Sequence, residues 1–288
     1  MNPAEPGGAP RAIRLAAWIA GVLLVVAAVA AVWRHRETLS ASFASLRDPP
    51  PWAVAALPLA TLVSLAIGAV ILKRLFHRRP DLRVADLLAL NAAATLFNLL
   101  PMKAGLAGRI AWQKRYQDVS VRSSLGVTAT AVLLSAGAVA IATGSLLVAS
   151  AWAVPAPAIL FVVAAVLLVL APAAKVGFAC ELLWWRIVDL GAWTMRIAAA
   201  FAILGADLSA DSALALACVT MASGLIPILG STLGVREWVI ALVAPSLAGV
   251  SWEQALAAEL VARGFEIAVV AVSGGAGSAW LVRRSVGR

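Results

Sequence analysis

The chain has 288 residues, 62% of them hydrophobic, with a formal net charge of +9 and a mean hydropathy of +0.95. Its longest hydrophilic stretches, such as Arg34–Pro51, are too short for a soluble domain of ordinary size, so an internal catalytic module is excluded. The basic residues gather beside apolar runs, at Lys73-Arg74, Arg78-Arg79 and Arg283-Arg284; positive-inside topology accounts for the charge, and no nucleic-acid partner is expected.

In chain order, the apolar runs predict an all-α integral membrane protein of about six transmembrane helices. They fall at 15–33, 52–72, 122–150, 157–174, 186–204 and 253–282, each near the ~20 residues that cross a bilayer. The first run, Leu15–Trp33, is long for the apolar core of a signal peptide, so an uncleaved helix is expected and a cleaved leader is the rival reading. Residues 1–50 form this N-terminal helix and its loop. Pro49-Pro50-Pro51 precedes the second span, and Pro155 and Pro157 mark a tight turn before the connecting helix 157–174.

Between these spans lie two interrupted segments, 86–118 and 211–247. Pro101-Met-Lys-Ala-Gly105-Leu-Ala-Gly108-Arg109 breaks the first, and Pro227-Ile-Leu-Gly230-Ser-Thr-Leu-Gly234-Val-Arg236-Glu237 breaks the second. Lipid offers no hydrogen-bond partners, so broken backbone at membrane depth survives only inside protein or around a cavity. A matched pair of such breaks points to a transport site.

Charge sets the sidedness. Lys73, Arg74, Arg78, Arg79 and Arg83 precede the first segment, and Lys114, Arg115 and Arg122 follow it, so that segment is predicted to enter and leave from the cytoplasm as a re-entrant hairpin. Gly205–Asp211 carries Asp207 and Asp211 with no basic residue, which sends the second hairpin in from the opposite face. Both termini are then predicted to be cytoplasmic. Fifteen residues separate Asp86 from Pro101 and sixteen separate Asp211 from Pro227. Residues 52–150 and 186–284 are therefore predicted to form an inverted repeat within a single membrane domain.

Arg109 and Arg236 stand just past the breaks, where a helix N-terminus adds partial positive charge to a guanidinium suited to phosphate. Glu237 follows Arg236, and neighbours on a helix point about 100° apart, so the two are expected to find different partners. Glu259, Arg263 and Glu266 share one face of the last span, as Asp189 and Arg196 do of the fifth. Charges in lipid are costly, so these should turn inward. The predicted substrate-binding set is Arg236, Glu237, Arg109, Arg263, Glu259, Gly230 and Gly234. Asp189, Arg196, Glu266, Pro101 and Pro227 are predicted to pair or shape the fold. Most tryptophans lie near span ends, as in an interfacial belt, and Trp184-Trp185 and Trp193 read as belt or packing. His35 and His77 lack partners at catalytic or metal-binding spacing, and Cys180 and Cys218 suggest neither a metal site nor a disulfide. No enzyme activity, metal or cofactor is expected.

At Ile226-Pro227 … Gly234-Val-Arg-Glu237, Gly249-Val-Ser251, Ala255 … Arg263 and Gly274, the chain resembles the flippase-like membrane domain of lysylphosphatidylglycerol synthases. Asn98-Leu-Leu-Pro101 … Gly105 … Arg109 fits the first-half pattern more loosely, with Leu106 where a Glu is common and without a Glu-Arg pair in the following helix. The resemblance implies movement of a lipid with an anionic or polar head between leaflets of a bacterial inner membrane. The partners it implies are membrane lipids and, beyond them, a separately encoded lipid-synthesising enzyme. The synthase activity of the family belongs to a soluble domain that these residues do not contain. The rival readings are a small-solute secondary transporter and a non-transporting subunit of a lipid-modifying system.

Overall fold

The computed structural model describes residues 49–77, 79, 81–99, 104–172, 177–225 and 235–286. Among these residues there are helices and no strand. They are α1 (Pro51–Leu75), α2 (Val84–Phe97), α3 (Ala104–Tyr116), α4 (Val121–Trp152), α5 (Ala156–Leu170), α6 (Gly177–Ile203), α7 (Ala210–Leu225), α8 (Val235–Ala248) and α9 (Trp252–Val286). The predicted span at 15–33, and Pro101, Pro227, Gly230 and Gly234 at the two breaks, lie outside the described residues.

Local chemistry sets the helix ends. Prolines open α1 and α5, where a missing N–H costs nothing. The Ser120 hydroxyl accepts from the Ser123 N–H at 3.2 Å and caps α4. Gly249, at φ +66°, follows α8 in a left-handed turn. Two residues later Ser251 and Gln254 form a capping box for α9: the Gln254 N–H donates to Ser251 Oγ at 3.2 Å, and the Ser251 N–H donates to Gln254 Oε1 at 3.3 Å. The Gly249-Val-Ser251 turn thus ends one helix and starts the next.

The helices pack in pairs that survive an exchange of the two halves. α1 lies along α6 at the centre. α2 packs on α1, α3 and α9, while α7 packs on α6, α8 and α4. α9 also touches α1, and α4 touches α6. Swapping α1 with α6, α2 with α7, α3 with α8 and α4 with α9 reproduces these pairings. The α2–α9 contact is close, because a Cβ on Gly277 would fall 2.5 Å from the Ala89 carbonyl oxygen and one on Gly274 would fall 2.8 Å from that of Ala92. Small residues allow helix backbones to approach in this way.

Two helices, α1 and α4, are long and apolar enough to cross a bilayer by length and composition. The other predicted spans differ for identifiable reasons. α6 and α9 are long, at 27 and 35 residues, but carry the charges described below. α5 has 15 residues and ends at Leu170 rather than at the expected 174. α6 begins at Gly177 instead of 186, because Glu181 is paired with Arg74 at 2.8 Å and Arg186 with Asp189 at 3.1 Å, so the helix continues through both. On α4 and α5 the buried positions are, Leu160 apart, small or hydroxylated (Ser124, Ser135, Ala138, Ala142, Ser145, Ala149, Ala156, Ala164), whereas Leu133, Phe161 and Val169 are 71–77% exposed. That is the reverse of a helix that packs its apolar face inward from water.

Candidate functional site

α8 and α9 run together and bring the second-half charges into contact beside α6. The Arg236 guanidinium reaches Glu259 and also donates to Glu266 Oε2 at 3.0 Å. Arg263 donates to the same Glu266 oxygen at 3.1 Å and lies 3.6 Å from Glu237. Arg196 comes across from α6 to stand 3.3 Å from Glu266, with its guanidinium carbon 3.9 Å from the Trp193 ring centroid. Glu259 is 2% exposed and Arg196 is 4% exposed. Arg196, Arg236 and Arg263 face Glu237, Glu259 and Glu266, so the charges of the cluster cancel. Cancellation is what allows ions at such burial, since a solitary one would cost several kcal/mol.

Beside this cluster is a cavity of about 230 Å³ bounded by both halves. Thr61, Ser64 and Gly68 of α1, Asn91 and Thr95 of α2, Arg109 of α3 and Ala131 of α4 line one side. Arg186, Asp189, Trp193 and Arg196 of α6 and Glu266 of α9 line the other. Arg186 donates to Asp189 Oδ2 at 3.1 Å and neutralises it. Arg109 is different: its guanidinium donates to Thr128 Oγ1 at 2.6 Å, and its buried Nε has no hydrogen-bond partner among the described residues.

The first hairpin aims Arg109 through two contacts. Asn98, just past α2, accepts from the Leu106 N–H at 3.2 Å and so holds the first turn of α3. Gly105 lets that turn press against α2, since a Cβ there would fall 1.8 Å from the Ala94 carbonyl oxygen. Arg109 follows one helical turn later, on the side that faces α4.

Of the residues predicted to bind substrate, Arg109 lines the cavity. Arg236, Glu237, Glu259 and Arg263 are joined in the neutral cluster behind its wall, and Gly230 and Gly234 lie outside the described residues. Asp189, Arg196 and Glu266, predicted to pair, both pair and face the cavity. Sequence reasoning missed Thr61, Ser64, Asn91 and Thr95, which are single polar residues in apolar runs, and it missed Arg186. Arg186 stands three residues before Asp189, one turn away on the same helix face, and that spacing could have revealed it. Trp193, read as belt or packing, stacks on Arg196 inside the site.

No protein family, no curated protein and no solved structure matches the chain.

Proposed function

We propose that the chain is a bacterial inner-membrane transporter of the flippase type, carrying a lipid with an anionic or polar head between leaflets. The observation that carries the reading is the polar, charge-lined cavity between the two halves, enclosed by helices whose outward faces are apolar. Intramembrane charges facing a cavity mark substrate pathways. The α4 and α5 exteriors suit contact with acyl chains.

The exchangeable helix pairings support an inverted repeat, α1–α4 against α6–α9. α2 and α8 have 14 residues each, roughly 21 Å of helix at about 1.5 Å per residue, short of the ~30 Å hydrocarbon core. Lengths of this kind support two re-entrant hairpins that meet at the cavity from opposite leaflets. With Lys73, Arg74 and Arg79 on the cytoplasmic side, both termini are cytoplasmic. The likeness of Gly234-Val-Arg-Glu237 and Gly249-Val-Ser251 to the flippase-like domain of lysylphosphatidylglycerol synthases points the same way, and membrane lipids are the partners it implies.

A space of about 230 Å³ holds a headgroup and no acyl chain. The tails therefore stay in the bilayer while the head crosses. The same volume would also hold a small anion, which favours a small-solute transporter as the second reading. The test is reconstitution into liposomes carrying head-labelled phosphatidylglycerol, followed by quenching of the outer leaflet. Accelerated loss of the protected fraction supports lipid movement. An unaccelerated rate, with uptake of a small phosphate ester instead, supports the second reading.

A further inference from the structure

We infer that the cavity receives one negative charge, with Arg109 as the group that meets it, and so takes a singly charged phosphodiester in preference to a head whose charges cancel. The inference rests on the transport reading for the source of that phosphodiester, and on charge pairing for its chemistry.

Five arginines belong to the site and the cluster behind it: Arg109, Arg186, Arg196, Arg236 and Arg263. Four carboxylates oppose them, those of Asp189, Glu237, Glu259 and Glu266. Each of the last four arginines stands within 3.6 Å of at least one of these acids. Arg109 stands on the opposite wall, on α3, where its recorded partner is the neutral Thr128. Among the described residues the surplus of one positive charge therefore resides on Arg109, and it faces the cavity.

The neighbours of Arg109 add no compensation. The Thr128 hydroxyl donates to the Ser124 carbonyl at 2.8 Å, so its oxygen is free to accept from the guanidinium but supplies no charge. Asn91, which faces the same space, spends its amide N–H on the Leu65 carbonyl at 3.0 Å. A guanidinium carries five N–H donors in a rigid fork that matches two phosphate oxygens. Arg109 uses one of them on Thr128, and its buried Nε is unspent. Arg196 also has a buried Nε without a hydrogen-bond partner among the described residues, while its Nη2 is held 3.3 Å from Glu266, and it lines the facing wall. Donors thus converge from both halves, while the net charge comes from one of them.

A phosphodiester supplies one charge and several acceptor oxygens. A zwitterionic head brings an added cation into a space that already holds an uncompensated guanidinium, and repulsion in a low dielectric is strong. A glycolipid supplies acceptors but leaves the charge unmet. A free phosphodiester and a lipid head share the favoured chemistry and differ only in their tails.

The experiment measures equilibrium binding to the purified full chain in neutral detergent. The probes are short-chain phosphatidylglycerol, short-chain phosphatidylcholine and glycerophosphoglycerol, the last being the free phosphodiester without tails. Phosphatidylglycerol should bind ~10-fold or more tightly than phosphatidylcholine, the scale of one charge-assisted contact in a dry site. Arg109→Gln should remove that preference, and Arg109→Lys should keep most of it. Glycerophosphoglycerol binding as tightly as the lipid would assign the site to a free anion, and weak glycerophosphoglycerol binding would assign it to a lipid head; either supports the monoanion site. Equal affinity for the two lipids in the wild-type chain overturns the inference without recourse to any variant, as does undiminished preference in Arg109→Gln. Selective binding lost in Arg109→Gln, with no movement of lipid or solute in vesicles, would sustain the site and sink the transport reading. Lipid movement indifferent to Arg109→Gln and Arg109→Lys would do the opposite.

Discussion

Asp86 and Asp211 hold matching places in the two halves. Asp86, in the first turn of α2, accepts from Trp280 Nε1 at 3.0 Å and from Arg284 at the end of α9. Asp211, in the first turn of α7, accepts at 2.8 Å from the N–H of Ala156, the first residue of α5. Each acid opens the first arm of one half and fastens it to a helix outside that arm: Asp86 to the end of α9, and Asp211 to the start of the connecting helix α5. The ties are made by different donors, an indole and a guanidinium in one case and a backbone amide in the other.

Asp86→Asn should therefore loosen the joint between halves, and Asp211→Asn the docking of α7 on the connecting helix. Each should cost ~1–3 kcal/mol, the range for losing a charge-assisted hydrogen bond at a poorly solvated site. Thermal unfolding in detergent reads this directly. A drop for one variant and none for the other would show that the two ties are not equivalent.

The α2–α9 contact makes a sharper prediction. Gly277→Ala places a methyl 2.5 Å from the Ala89 carbonyl oxygen, and backbone cannot yield as a side chain can. A loss of ~1–3 kcal/mol is expected, as for other overpacked sites. Gly275→Ala, two residues away, meets nothing within 4 Å. It should leave the midpoint unchanged or raise it slightly, since Ala is the better helix former. Equal effects of the two substitutions would refute the close packing.

The share of this architecture legible in the sequence follows from where the signals sit. Breaks in the apolar runs at 101–109 and 227–237 pointed to paired short helices, because Pro and Gly act locally. Charges seven apart on α6 and α9 revealed which faces turn inward. Their partners were not legible: Glu266 meets Arg236 and Arg196 from two other helices, and nothing in one helix names its neighbour. The motif Gly234-Val-Arg236-Glu237 drew attention to Arg236 as a receptor, yet in the fold it is neutralised by Glu259 and Glu266. Arg109, in the looser motif, keeps its charge because no acid among the described residues pairs with it, Asp189 and Glu266 across the cavity being engaged by other arginines. Single hydroxyls such as Ser64 and Thr95 are too common in apolar helices to announce a cavity.

Glu266 should be the most sensitive member of the buried cluster, since three guanidinium groups converge on it. Glu266→Gln leaves one positive charge in excess in the buried cluster and should cost ~3–5 kcal/mol, as when one partner of a buried ion pair is removed. Pairing it with Arg196→Met should recover part of that loss, and a double-mutant cycle measures the coupling. Purely additive effects would argue against a shared network.

At the polar end of the molecule, the Arg79 guanidinium hydrogen-bonds Asp81 at 3.1 Å and holds its carboxyl below the ordinary aspartate value. The same arginine donates to the Asp118 carbonyl at 2.9 Å, tying two loops together. A depressed carboxylate contributes order above its ordinary titration range, and that order fades as pH falls through the lowered value. At neutral pH, Asp81→Asn should thus raise amide exchange around 117–119 while leaving the thermal midpoint in place. Unaltered exchange would mean that the Arg79 tie does not depend on Asp81.

The central claim is that a lipid head passes through the cavity between the halves. Ala131 lines that cavity from α4 and is itself uncharged, so Ala131→Trp fills the space while every charged side chain is kept. Outer-leaflet quenching of head-labelled phosphatidylglycerol in proteoliposomes should show rapid exchange with the wild-type chain. Exchange should fall to the protein-free rate with Ala131→Trp at an unchanged thermal midpoint. Rapid exchange through the plugged protein would contradict the account.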